Sequence, residues 1–274
     1  MMNLFFVDDA SQKTPTREGM GALLAVGGIC VPEDSLKDLE SQIELVCNEF
    51  GFPPGEIFKW SPGRDLWMHQ NLVGEKRQNF FIRVLSLTKD KGAIATVILE
   101  DIKHKTATGV ETPELDLMQL FLERAHHQTP NECNGMVIVS QPGGDRKSEY
   151  KFLADCVEAL KCGTDYVKPE RIVYVVTSPP KFMRLLQVAD VVTSCSTAFV
   201  GGENKFSPPV FDTVKQILMR ELGRIGGVGL KIHPDFKYAN LYYWLLGDSH
   251  FVRFMMGLPF PLPDHPYSAG PHIP

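Results

Sequence analysis

The stretch Leu4-Phe5-Phe6-Val7-Asp8-Asp9-Ala10-Ser11 (LFFVDDAS) sets four apolar residues against two adjacent carboxylates. A short apolar run that stops at turn-forming residues is the pattern of a buried strand, here from Asn3 to Asp9. Aspartates at such a place can close an Asx-turn, or the strand can carry acid to where acid is needed. Side chains alternate along a strand, so Asp8 shares a face with Phe6, and Asp9 shares the other with Val7. At most one of the pair faces a given site.

Working outward, Met20–Pro32 (MGALLAVGGICVP) reads as a second strand stopped by proline. Apolar residues at helical spacing predict helices over Asp34–Phe50 and Glu75–Lys91. A strand is expected over Ala93–Asp101. A helix follows to Gln128, with Thr112 as its N-cap and Pro113 in the first turn. The later order is strand Gly135–Gln141, helix Ser148–Cys162, strand Arg171–Ser178 and a long helix Lys181–Val200. Late strands alternating with helices imply an α/β protein, with a mixed sheet covered by helices on both faces. After Gly201 the texture changes. A helix over 208–223 leads into a segment rich in glycine, aromatics and bases, then a proline-rich tail from Leu258. The division expected is a core over residues 1–201 and a C-terminal helical and aromatic extension over 202–274, packed on that core.

With 274 residues, 43% hydrophobic and 22% charged, the chain can bury a sizeable core. A formal net charge of −5 argues against a broad basic face coating nucleic acid. No basic n-region with a cleavage site opens the chain, and its early apolar run is too short to span a membrane. The six cysteines form no C-x-x-C pair. They fit small core residues in a reducing compartment, so the expected location is cytoplasmic, with no membrane partner.

The helix Lys181–Val200 is apolar nearly all round, which marks it as buried, yet Asp190 sits in its middle. A buried carboxylate costs about several kcal/mol unless it is paired, neutralised or bound to metal. The neighbours one turn away are Leu186 and Ser194, so its partner must come from elsewhere: a salt bridge, a contact to another loop, or a cation. If Asp8 and Asp190 converge, both stay ionised only with a cation between them. Oxygen ligands without histidine or thiolate suit Mg²⁺ or Mn²⁺.

The opening FVDDAS and the helix LLQVADVVTSCS together resemble the domain-of-unknown-function family 3800, an RNase H-like family for which metal-dependent nuclease activity is inferred. The resemblance covers roughly residues 3–201. It implies an RNase H-like sheet with acids on the first strand, on the first helix after the third strand, on the fourth strand and on a late helix. In this chain those places give Asp8, Glu114 (or Glu123), position 140 and Asp190. The implied catalytic residues are Asp8, Asp190 and Glu114, with Asp8 and Asp190 as metal ligands. The implied function is a Mg²⁺- or Mn²⁺-dependent hydrolase of nucleic-acid phosphodiesters.

Two departures stand out. Ser140 replaces the expected acid on the fourth strand, with Asp145 in the following loop as a distant substitute. Ile57 stands two residues before Lys59, where an acid is common, and Glu56 is one step off. A neutral hydroxyl on the fourth strand points to weak activity or none. The alternatives are a non-catalytic member that binds nucleic acid or protein, or an oligomer built through the extension. Candidate phosphate contacts are Lys59 and Arg64, in a loop anchored by Trp60 and Trp67, and Lys231 in the extension.

Overall fold

A computed structural model describes residues 2–104, 113–143, 145–253 and 256–262. Its elements in chain order are β1 (Met2–Gln12), β2 (Leu23–Pro32), α1 (Glu33–Glu49), α2 (Trp67–Asn71), α3 (Glu75–Asp90), β3 (Ile94–Asp101), α4 (Pro113–Gln128), β4 (Asn134–Ser140), α5 (Arg146–Cys162), β5 (Ile172–Ser178), α6 (Arg184–Val200), α7 (Ser207–Ile217), β6 (Leu230–His233), α8 (Ala239–Leu246), β7 (His250–Arg253) and β8 (Met256–Pro259). The expected cap Thr112, Lys105 and the tail beyond residue 262 lie outside the described residues.

The fold is α/β. Six strands form one mixed sheet in the order β5-β4-β1-β2-β3-β6, and β7 pairs with β8 in a separate ribbon. β1 runs antiparallel to β2 and parallel to β4, with Val7 opposite Val139. β3 is antiparallel to β2, and β5 is parallel to β4. The chain's first strand is therefore interior, and helices cover both of its faces, which is why it reads as a continuous apolar run.

Alternation divides the core in two. Phe6 joins the apolar cluster formed by α1, α3, α6, α7 and α8 on one face of the sheet. Phe5 and Val7 join the smaller cluster under α4 and α5 on the other. The same alternation carries Asp8 to the α6 face and Asp9 to the α4 face. Helix α6 lies close on β1 and β2. A Cβ on Gly27 would come within 2.8 Å of the Thr193 hydroxyl and 3.0 Å of the Thr96 carbonyl, so only glycine lets the helix approach this closely.

The extension enters the sheet itself. β6 lies parallel to β3, with Val97 opposite Leu230 and Leu99 opposite Ile232. Val210, Phe211, Val214, Ile232, Leu241 and Tyr242 lie in the same apolar cluster as α6. Tyr238 donates its hydroxyl proton to the buried Asp101 carboxylate, tying the extension to the end of β3. Helix α7 stops at Ile217, short of the expected 223, because Met219 leaves the helix to donate its N–H to the Ala95 carbonyl. Four cysteines are buried as expected, but Cys133 is half-buried and Cys162 is exposed. Among the described residues no helix is long and apolar enough to cross a membrane.

Ending the chain at Gly201 removes β6 and uncovers the apolar faces of α3 and α6. The truncated chain is expected to lose its cooperative thermal transition and to aggregate. A cooperatively melting monomer of residues 1–201 in calorimetry and light scattering would show that the extension is dispensable.

Candidate acidic site

The site is built where the C-terminal half of β1 meets the middle of α6. Helix α6 has no side-chain cap of its own at Met183. Instead the Glu40 carboxylate on α1 accepts the N–H groups of Arg184 and Leu185, both at 3.0 Å. A carboxylate there satisfies orphan donors and complements the positive end of the helix. Arg184 then reaches outward, its Nε to Glu44 at 2.7 Å and its Nη1 to the Glu56 carbonyl at 2.7 Å.

A polar stripe on the otherwise apolar helix holds the loop between α1 and α2. Gln187 Oε1 accepts the Phe58 N–H at 3.1 Å, and Asp190 Oδ2 accepts the Trp60 N–H at 2.6 Å. Two side chains one turn apart thus bond alternate amides of an extended segment. Aromatic packing secures it: Trp60 stacks on Phe81 and meets Phe206 edge-on, and Trp67 packs against Phe52. Among the described residues, the second oxygen of Asp190 has only a long contact, 3.5 Å, from the Ser194 hydroxyl.

Asp8 is buried, 9% exposed, and its Oδ1 accepts the Asp9 N–H at 3.0 Å. Loss of solvent pushes its pKa up to about 7, and the charges of Asp190 and then Asp9 push the same way. Asp190 is also raised, chiefly by burial, against the lowering effects of the Trp60 N–H and the Lys59 ammonium. Asp9 reaches solvent on the far face but stands in dense surroundings that raise its pKa, with Glu114 adding to the rise. The Lys59 charge lowers all three aspartates.

The residues picked out in the sequence therefore divide. Asp8 and Asp190 come together. Glu114, exposed in the first turn of α4, acts on Asp9 rather than on Asp8, because the alternation of β1 places it across the sheet. Glu123 is buried and accepts the Thr164 hydroxyl at 2.9 Å, a contact that holds the end of α5. Ser140 ends β4 one step beyond the Val7–Val139 pair, as Asp8 is one step beyond Val7, so a half-buried hydroxyl flanks the site. Asp145 does not fold back: it caps α5 through the Ser148 N–H at 2.9 Å. Glu56 accepts the Trp67 N–H at 2.8 Å, and Ile57 is half-buried. Arg64 is exposed. Lys231 pairs with Asp235 at 3.4 Å on β6, which β2 and β3 separate from β1 by roughly 14 Å in all. It lies away from the acid pair.

A cleft of about 310 Å³ is lined by Ser11, Gln12, Trp60, Ser61, Ser194 and Thr197; it touches residues that bond Asp190 but includes neither Asp8 nor Asp190. Its walls are hydroxyls, an amide and an indole, with no charged side chain. The larger cleft, about 670 Å³, lies on the α4 side against Glu100, Asp116, Tyr166 and His233, and includes neither member of the pair. No protein-family model matches the chain, and no curated protein or solved structure matches it.

The raised pKa of Asp8 has a direct consequence for stability. An unfolded aspartate titrates near 3.9, so the folded protein binds this proton more tightly than the unfolded chain. Its contribution is full below about pH 4 and is lost as pH rises through about 7. Asp8→Asn should remove that slope, so that at pH 8 the variant is more stable than the parent by about 2–4 kcal/mol. Chemical unfolding at pH 5 and pH 8 checks this. An unchanged pH dependence would show that Asp8 is not under electrostatic pressure.

Proposed function

We propose that this chain is a nuclease-like protein of RNase H-like fold that binds one divalent cation at Asp8 and Asp190 and has at most weak activity on nucleic-acid phosphodiesters. One observation carries it: the buried Asp8 of an interior strand and the half-buried Asp190 of α6, far apart in sequence, stand near enough that the Asp190 charge raises the pKa of Asp8. Such an arrangement costs stability unless a cation compensates it. The placement of β4 beside β1, with acid on the first strand and on a late helix, agrees with the RNase H-like pattern that the two motifs imply.

The donor set fits one ion and not two. Carboxylate oxygens with no imidazole or thiolate suit Mg²⁺ or Mn²⁺. Among the described residues, however, no three His, Cys, Asp or Glu side chains gather closely enough to hold an ion. Asp190 has one oxygen engaged by Trp60, and Ser140 adds no charge. A bound ion would act as a Lewis acid on a phosphate oxygen. Without a cation, burial and the Asp190 charge push the pKa of Asp8 up to about 7; a bound ion would lower it and keep Asp8 ionised as a ligand. The cleft beside Trp60 and Ser194 offers hydroxyl and amide groups that can bond a sugar and no cation that would hold a phosphate. Ser140 favours a second reading, in which the same surface binds nucleic acid or protein without cleaving it.

Titration calorimetry should show weak binding of one Mn²⁺, lost in Asp8→Asn and in Asp190→Asn. The parent should cleave labelled oligonucleotides little or not at all. Ser140→Asp should tighten Mn²⁺ binding and switch on Mn²⁺-dependent cleavage. Robust cleavage by the parent that Asp8→Asn leaves untouched would place the chemistry elsewhere.

A further inference from the structure

We propose that Lys59 is the resident counter-ion of the Asp8–Asp190 pair, delivered by the loop that α6 holds, so that the site is partly balanced without any metal.

The placement follows from the two hydrogen bonds on either side of it. Phe58 and Trp60 each donate a backbone N–H to α6, and the second acceptor is Asp190 itself, at 2.6 Å. Lys59 lies between two backbone anchors, with no freedom to carry its Cα away from the carboxylates. The flanking side chains make the anchorage rigid: Phe58 is fully buried among Phe52 and Phe80, and Trp60 is stacked on Phe81. Arg184 adds a third tie through the Glu56 carbonyl and lies over the Phe58 ring.

Lys59 is half-buried, and among the described residues it makes no hydrogen bond or direct ion pair of its own. Its charge lowers the pKa of Asp190 and, as a smaller effect, of Asp8 and Asp9, so it acts on the carboxylates from beyond direct contact. A lysine is a compact point charge on a flexible stem, able to approach the carboxylates or to withdraw. One ammonium against three carboxylates leaves the site net negative. A divalent ion can therefore still be attracted, but it meets a cation already there.

Lys59's role rests on the acid pair proposed above being the functional site, and the two ideas can fail separately. The test is a double-mutant cycle in the metal-free protein, in buffer with chelator at pH 8. Lys59→Met keeps the apolar stem and removes the charge. It should lower the melting temperature by ~2–4 °C in the parent and by under ~1 °C in an Asp8→Asn background. Equal losses in the two backgrounds would overturn the inference, whatever the protein does with metal. Should Lys59→Met fold in neither background, Lys59→Gln supplies the same cycle with a polar stem. Mn²⁺ titration of the folded variants forms the second arm. Tighter binding in Lys59→Met than in the parent supports displacement of the ammonium by metal. Coupled melting with no Mn²⁺ binding by any variant supports Lys59 as the site's own cation and sinks the metal reading instead.

Discussion

One half-buried carboxylate, Asp190, set in the middle of an apolar helix, governs the rest of this structure. A charge there needs donors, and α6 has no cation one turn away to supply them. The nearest answer is backbone: the Trp60 N–H, brought from 130 residues away in sequence. Taking that amide commits the whole segment from Glu56 to Trp60 to lie along α6, with Gln187 taking Phe58 and Arg184 taking the Glu56 carbonyl. The aromatic residues of the loop then pack into the core they help to close. Because α6 also lies close on β1 and β2, the same placement brings Asp190 against Asp8.

The acid pair was legible in the sequence because each member breaks its local pattern. Asp190 interrupts a helix with almost no polar face, and Asp8 follows an apolar strand whose alternation fixes the face. The main elements were legible from apolar runs bounded by turn formers in β1 and β3, from helical spacing in α1 and α3, and from the length of the apolar stretch in α6. What escaped is short or set from outside. β6 is only four residues, Leu230 to His233, and becomes a strand because the free edge of β3 pairs with it. α2, five residues, is stabilised by loop packing around Met68 and not by its own pattern. Lys59 was picked out only as a phosphate contact; that its charge reaches the aspartates depends on how α6 holds the loop, which has no local signal. The role of Asp9 was hidden too: the rule that sets it apart from Asp8 also faces it toward Glu114.

The contrast among the remaining carboxylates is chemical. Glu40 and Asp145 sit at helix N-termini and accept backbone N–H groups that would otherwise lack partners. Glu123 receives a hydroxyl, and Asp101 receives the Tyr238 phenol and two amides. Their lone pairs are engaged in holding the fold. Asp8 accepts one local amide and has two like-charged neighbours, Asp190 and Asp9. Burial and like charge leave its ionised form poorly compensated, so it gains from a cation.

Diffraction from crystals soaked in Mn²⁺, read for anomalous scattering, tests this most directly. A single peak flanked by the carboxylates of Asp8 and Asp190, with the Lys59 ammonium moved aside, is the predicted result. A saturating soak with no peak beside the pair, or with its only ordered ion elsewhere in the molecule, would contradict it.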